Sequence, residues 1–160
     1  MLHPVTLLQE LFRPEDMLVG FHAADKWEAI DRLMEHLVAS GRVPEDVSKP
    51  IHEAVLARER SMSTGMERGI AIPHAAVEGL PDVAACVGIV GDGEEGLNFE
   101  SIDHGSTHFV VLLLIPREKK LLHIRTLADV ARTLGKDAVR TELLQATDTR
   151  QAWEIFCGQA

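Results

Sequence analysis

The chain has 160 residues, 46% of them hydrophobic, so we expect one domain with a substantial core spanning residues 1–160. The formal net charge is −9 and no stripe of Lys and Arg residues interrupts it, which argues against a nucleic-acid partner. No apolar run approaches the length of a membrane span and no basic leader opens the chain, so the expected location is cytoplasmic, without membrane insertion. Cys86 and Cys157 have neither disulfide nor metal spacing and are expected to be buried, reduced thiols.

The first third of the chain predicts two short elements and two longer helices. A short helix over Val5–Phe12 precedes a short strand over Met17–Phe21. A stronger helical pattern covers Asp25–Gly41, where the aspartate is the predicted N-cap and apolar residues repeat on one face. Ser48 is the predicted cap of the next helix, with Pro50 tolerated in its first turn.

The remainder alternates apolar runs with helical patterns. Predicted strands cover Ile70–Ile72, which Pro73 ends, then Val83–Val90 and Thr107–Ile115, with a solvated acidic connection over Gly91–Gly96. Three helical patterns are predicted in the last forty residues: Leu121–Leu134, Asp137–Ala146 and Thr149–Phe156. Because this alternation is not cleanly periodic, the predicted fold is α/β: a single domain with a mixed β-sheet flanked by helices.

The segment from Arg58 to His74 gathers the residue types that can do chemistry. Pro73 cannot donate to a sheet ladder, so we expect it to present His74 at a strand end. A neutral imidazole can act as a nucleophile, a proton carrier or a metal ligand. The preceding loop could bind an anion with hydroxyl and backbone donors, and Arg58 could pair two phosphate oxygens. The candidate phosphate-binding residues of that loop are Ser63, Thr64 and Gly65. No Walker-type nucleotide motif follows them.

Three parts of this segment together resemble the signature of a known family. They are Ala57-Arg58-Glu59, Ser63-Thr64-Gly65 and Gly69-Ile70-Ala71-Ile72-Pro73-His74. In these residues and their spacing the chain resembles the IIA domains of the bacterial phosphoenolpyruvate-dependent phosphotransferase system (PTS), in the fructose, mannitol and nitrogen-regulatory class (type-2 EIIA). Downstream, His123 and Leu127–Arg132 resemble the helix that carries a second histidine in that family.

The resemblance implies a phosphohistidine carrier that uses no cofactor and no metal. It implies that His74 accepts a phosphoryl group from an HPr-type carrier protein and passes it to a IIB domain or a regulatory target protein. Arg58 would stabilise the charge of the transferring group, and His123 would orient it. One departure is the segment Met66-Glu67-Arg68 before Gly69, where the family has a smaller, glycine-richer link; it bears on how the donor docks.

Several alternatives remain open at this level. One domain fills the chain without a linker, which favours a stand-alone carrier of the nitrogen-regulatory type over a sugar-specific fructose or mannitol IIA component. A regulatory module that has lost phosphoryl transfer is disfavoured because both His74 and Arg58 are present. The competing enzyme class is a metal-binding histidine enzyme, and its ligands would be His74, His104, His108 and His123.

Overall fold

The computed structural model describes residues 6–91 and 93–158 of the chain. Its helices are α1 (Leu7–Leu11), α2 (Lys26–Ala39), α3 (Glu45–Ser61), α4 (Lys120–Leu134), α5 (Asp137–Gln145) and α6 (Thr149–Cys157). Its strands are β1 (Met17–Val19), β2 (Ile70–Ala71), β3 (His74–Val77), β4 (Ala84–Ile89) and β5 (Phe109–Pro116). The predicted element types are therefore confirmed within these ranges, while Val5 and Asp92 lie outside the described residues.

The five strands form one mixed sheet, as the irregular alternation of elements predicted. β1 pairs in parallel with β4, and β4 pairs antiparallel with the central strand β5. Both β2 and β3 pair in parallel with β5, one after the other along the same edge. This places the segment that ends at His74 beside β5, which is buried along its whole length.

Helices cover both faces of the sheet, because β5 alternates its side chains between two cores. Phe109, Val111, Leu113 and Ile115 face the core formed with α1, α4, α5 and α6. Val110, Leu112 and Leu114 face the core formed with α2 and α3. A strand covered on both faces is apolar throughout, which is why this run could be recognised in the sequence.

Two thiols belong to these cores, as predicted. Cys86 lies in the α2/α3 core and Cys157 in the opposite one, and both are free. Burial raises the pKa of the Cys86 thiol well above its ordinary value and that of Cys157 to about 12, so neither is a reactive thiolate at neutral pH. Within the described residues, no helix is both long enough and apolar enough to cross a membrane.

The helix starts show one correct and one wrong prediction. Asp25 caps α2, since its side chain accepts a hydrogen bond from the Glu28 amide at 2.9 Å. Ser48 does not cap α3: the helix begins at Glu45, and the Ser48 hydroxyl donates to the Glu45 carbonyl within it. Pro44 precedes the helix in an extended conformation, and the acidic residues of the first turn favour its N-terminus, so Pro50 lies inside the helix.

Pro73 also acts differently from the prediction. It does not end the sheet edge, because β2 stops at Ala71 and β3 resumes at His74 on the same neighbour, β5. The Pro73 carbonyl still accepts a hydrogen bond from the Leu113 amide at 3.0 Å. His74 therefore begins a strand instead of ending one.

Candidate functional site

His74 is held in one orientation by its own backbone neighbourhood. Its Nδ1 lies 2.7 Å from the carbonyl oxygen of Ile72. A carbonyl can only accept, so Nδ1 carries the proton of the neutral ring and Nε2 keeps the lone pair. Burial lowers the pKa of His74, against the hydrogen bond to Ile72, and the neighbouring Arg58 and His123 lower it further. At neutral pH the ring is an uncharged nucleophile.

His123 lies directly beside this ring, although 49 positions separate the two in sequence. It sits in the first turn of α4, and the two imidazoles meet edge to face, with centroids 5.4 Å apart and planes at 76°. Burial lowers the pKa of His123 as well. Among the described residues, its Nε2 is the buried side-chain nitrogen or oxygen without a hydrogen-bond partner. Such an atom is costly to bury and is available to a ligand.

Arg58 approaches the same space from the end of α3. Its Nη1 donates to the Met62 carbonyl at 2.9 Å, which fixes the guanidinium over the turn that leaves the helix. The side chain lines a cavity together with His74. A guanidinium in that position supplies charge and a planar set of donors to an anion bound near His74 Nε2.

The predicted phosphate loop is folded onto itself. The Ser63 hydroxyl donates to the Phe99 carbonyl and accepts from the Gly65 amide at 3.1 Å. The Thr64 amide and hydroxyl both donate to the carboxylate of Glu59. All three residues line the cavity, yet each of these donors has a protein acceptor in this structure.

Gly65 has a steric role in addition to the predicted anion-binding one. A Cβ at this position would lie 2.6 Å from the Phe99 carbonyl oxygen and 2.8 Å from the Ser101 hydroxyl. No side chain can replace a hydrogen there without moving backbone. The glycine lets residues 63–66 pack tightly against the segment that follows β4.

Two charged residues beneath the loop escaped the sequence reasoning. Glu59 is 2% exposed, and its carboxylate lies 4.0 Å from the ammonium of Lys26, which is itself buried at the start of α2. A periodic signal was present for both. Glu59 follows buried Val55 by four residues, and Lys26 precedes buried Ile30 by four, so each belongs to the apolar face of its helix.

The cavity beside His74 has a volume of about 420 Å³ and two unlike sides. One side carries the polar groups of Arg58, Ser63 and His74. The other is apolar, and its side chains are those of Met66, Ile72, Ile102, Leu127, Ala128 and Ala131. The polar groups can hold an anion the size of a phosphoryl group.

The four-histidine metal site is not assembled. His104 is exposed on a loop, and His108 Nδ1 lies 3.1 Å from the Val90 carbonyl; neither lines the cavity of His74. Over residues 6–91 and 93–158, no group of three or more His, Cys, Asp or Glu side chains could hold a metal ion.

Comparisons with known proteins agree on one family. The family model described as "Phosphoenolpyruvate-dependent sugar phosphotransferase system, EIIA 2" matches residues 10–157. The nitrogen regulatory protein of Escherichia coli (strain K12) is 30% identical over 135 residues, which cover 84% of this chain and 80% of that protein. The fructose-specific EIIA component of Haloferax volcanii is 30% identical over 135 residues, covering 83% of each. IIA-Ntr from Neisseria meningitidis shares the fold, with a TM-score of 0.82 at 19% identity over 94% of this chain and 99% of that one.

Proposed function

The chain belongs to the EIIA 2 family of the phosphoenolpyruvate-dependent sugar phosphotransferase system, and we propose that it carries a phosphoryl group on Nε2 of His74. One observation supports this atom above all. The Nδ1 proton is committed to the Ile72 carbonyl at 2.7 Å, which leaves the Nε2 lone pair as the nucleophile. The lowered pKa keeps that lone pair free at neutral pH.

The proposed reaction is an in-line transfer from a phosphohistidine of an HPr-type carrier protein. The Nε2 lone pair of His74 forms the new bond to phosphorus as the donor's P–N bond breaks, and the donor nitrogen keeps that electron pair. Positive charge develops on the His74 ring, and the Ile72 carbonyl at Nδ1 is placed to stabilise it. No proton has to leave phosphorus or its oxygens, so positioning and electrostatics account for the catalysis.

Arg58 and His123 have separate tasks in this proposal. The guanidinium of Arg58 faces the negative oxygens that spread charge in the transition state. His123 contacts the acceptor ring and has an unpartnered Nε2, which can bond the phosphoryl group once it is held on His74. His123 thus stabilises the loaded carrier, whereas Arg58 accelerates loading and unloading.

The loop residues Ser63, Thr64 and Gly65 complete the phosphate-binding side of the cavity. The Ser63 hydroxyl and the Gly65 amide are bonded to each other at 3.1 Å, so either can reach a phosphoryl oxygen only when that bond opens. Thr64 is anchored to buried Glu59 by two donors and serves as the fixed point of the loop. The main role of the loop is therefore to shape the cavity, and it donates hydrogen bonds to the phosphoryl group only after its internal bonds open.

The protein's relatives include both regulatory and sugar-specific carriers. We favour a carrier of the nitrogen-regulatory type, because the Escherichia coli nitrogen regulatory protein and the Neisseria meningitidis IIA-Ntr structure both match this chain over most of their length. The Haloferax volcanii fructose-specific component supports the second candidate, delivery to a IIB domain in sugar uptake. In either role the protein would work in the cytoplasm, with the carrier proteins of the system.

Radiolabelled phosphoenolpyruvate, enzyme I and the HPr-type carrier test the proposal together. The protein should gain an acid-labile, base-stable label that His74→Ala abolishes and His104→Ala, a change at an exposed histidine away from the cavity, retains. Label that persists in His74→Ala would refute the acceptor. Rapid onward transfer to a fructose- or mannitol-type IIB domain would favour the sugar role. A stable phosphoprotein with phosphorylation-dependent binding partners would favour the regulatory one.

A further inference from the structure

The large apolar side chains that remain exposed are gathered on the segments that carry the site. Within the described ranges they are Met62, Ile102, Leu121 and Ile124, with exposed fractions between 65% and 73%. Met62 follows α3 four residues after Arg58, and Leu121 and Ile124 flank His123 on α4. Ile102 is 71% exposed and lines the cavity of His74 itself. An apolar side chain exposed at a transfer site is available to be covered by a partner.

Ile102 lies near the middle of a segment, residues 97–107, whose two ends are tied together. The Leu97 amide donates to the Thr107 carbonyl and the Thr107 amide donates to the Leu97 carbonyl, each at 2.8 Å. Phe99 is fully buried in the α2/α3 core, and the Ser101 hydroxyl lies 3.3 Å from that of Thr107. The segment is thus anchored at its base while Ile102 projects into solvent. We call residues 97–107 the docking arm.

Backbone strain is concentrated where this arm meets the loop before β2. Three residues other than glycine have positive φ in the described ranges: Arg68 at 64°, Glu100 at 54° and His104 at 60°. Two of them belong to the arm, and the third is joined to it, because the Arg68 amide donates to Asp103 Oδ2 at 3.1 Å. Left-handed conformations at such residues persist only where surrounding bonds hold them, and they gather at functional sites.

Ion pairs and hydrogen bonds connect the docking arm to the loop that lines the His74 cavity. Lys26 lies between two carboxylates, 4.0 Å from Glu59 below the phosphate loop and 3.5 Å from Glu100 of the arm. The Ser63 hydroxyl donates to the Phe99 carbonyl, and the second carboxylate oxygen of Asp103 accepts from the Gly105 amide at 2.9 Å. The position of Ile102 is therefore fixed relative to His74 before any partner arrives.

We propose that the docking arm is a preorganised recognition element and that Ile102 is its anchor, covered on binding by an apolar side chain of the phosphoryl-donating carrier protein. The inference rests on the proposed function, since a donor must bring its phosphorus within bonding distance of His74 Nε2. A protein surface that reaches this atom also covers the cavity, and Ile102 forms part of the cavity wall. Held rigid in advance, the arm loses little freedom on binding, which favours affinity.

The test compares carrier binding with chemistry that needs no carrier. Ile102→Ala should raise the dissociation constant of the unphosphorylated HPr-type carrier about tenfold, as expected for an anchor at the centre of an interface. Labelling of His74 by phosphoramidate, a small-molecule donor that needs no docking surface, should change much less than carrier binding does. Val38→Ala, a comparable truncation in the groove between α2 and α3, should change neither quantity.

A second variant tests whether the bonds that hold the docking arm in place contribute to carrier binding, separately from the Ile102 side chain. Asp103→Ala removes the acceptor of the Arg68 and Gly105 amides and should weaken carrier binding about threefold. The loss should disappear when Ile102→Ala is already present, because the arm acts through that side chain. An equal loss in both backgrounds would overturn the arm's role.

The outcomes separate the two proposals. A folded Ile102→Ala protein that binds the carrier as tightly as the wild type overturns the anchor. A concentration-dependent dimer that Ile102→Ala abolishes would also overturn it, by assigning this face to a second copy of the chain. Failure of both phosphoramidate and the carrier to label wild-type His74 would instead refute the proposed function, whatever the binding data show.

Discussion

Two pairs among the described histidines differ in what faces the ring. His36 Nε2 lies 3.0 Å from Asp16 Oδ1, and His52 Nε2 lies 2.6 Å from Asp31 Oδ1, so each has a carboxylate partner. The site histidines have none: His74 is bonded to a backbone carbonyl, and His123 Nε2 has no partner within the described residues. A carboxylate holds the first two rings in place by a side-chain hydrogen bond, whereas burial lowers the pKa of His74 and His123 and leaves each ring neutral and free to react.

The paired group is part of the scaffold. Asp16 is fully buried between His36 and Arg42, with Arg42 Nη1 2.6 Å from its Oδ2. The other Arg42 nitrogen donates to the carbonyls of Leu11 and Val83, at 2.9 Å and 3.0 Å. Asp16 and Arg42 together therefore connect α2 and the loop after it to the N-terminal segment and to the residue before β4. The role of a histidine in this protein therefore depends on the group that its ring contacts, and the residue type alone does not show whether it is structural or reactive.

Breaking the paired region should have the largest effect. Asp16→Ala leaves the buried guanidinium of Arg42 without its counter-charge and should lower the free energy of unfolding by about 3–5 kcal/mol. Urea denaturation measures this loss. Phosphoryl acceptance per folded molecule should stay unchanged, and a matching loss of acceptance would mean that the two regions are not independent.

The next effect concerns the charge beside the unpaired group. Arg58→Lys keeps one positive charge but loses the planar donor set, so single-turnover phosphorylation of His74 should slow about tenfold or more. The free energy of unfolding should change little. Arg60→Lys, the same change two residues along the exposed end of α3, is the matched control and should react normally. An Arg58→Lys protein with the wild-type rate would remove Arg58 from the mechanism.

One substitution applied to both groups sharpens the comparison. His36→Leu removes a bond to buried Asp16 and should cost about 1–3 kcal/mol of unfolding free energy. His123→Leu removes an unsatisfied buried nitrogen and should leave stability unchanged within about 1 kcal/mol, or raise it. It should nevertheless shorten the lifetime of phosphorylated His74 or slow onward transfer. A large stability loss in His123→Leu, with normal phosphoprotein lifetime, would make His123 a structural residue.

The smallest effect is a pH dependence. Burial lowers the pKa of both His74 and His123 in the folded protein, whereas in the unfolded chain each titrates near 6.5. As pH falls below about 6.5, the unfolded state therefore binds protons that the folded state does not, and the free energy of unfolding decreases. Above that pH these two histidines add nothing to the pH dependence of stability. The difference in unfolding free energy between pH 7.5 and pH 5.5 should shrink in the His74→Gln/His123→Gln variant. An identical difference in the two proteins would contradict neutral site histidines.

Much of the scaffold could be predicted from local pattern. The continuous apolar runs of β4 and β5 predicted strands covered on both faces, and the Asp25 cap was placed correctly. Ser48 misled because a serine in a helix can bond a carbonyl one turn back as readily as it caps. Pro73 misled because a proline can interrupt a sheet edge that then continues on the same neighbour.

The sequence proposes residue types for the site but does not predict the contacts between them. The segment from Arg58 to His74 is close in sequence, so its proximity follows from chain connectivity. The contact of His74 with His123, by contrast, depends on how α4 packs against the sheet, and only the family resemblance suggested it. The Lys26 contacts with Glu59 and Glu100 join three distant segments, and no local rule predicts which charged side chains meet.

The most direct test of the central claim is the site of the phosphorus bond. The protein, labelled with ¹⁵N in its histidine rings, would be phosphorylated by phosphoenolpyruvate, enzyme I and the HPr-type carrier, then observed by ³¹P and ¹⁵N NMR. We predict a phosphorus–nitrogen coupling to Nε2 of His74, with Nδ1 still protonated against the Ile72 carbonyl. A phosphoryl group on Nδ1 of His74, or on any other histidine, would contradict the account.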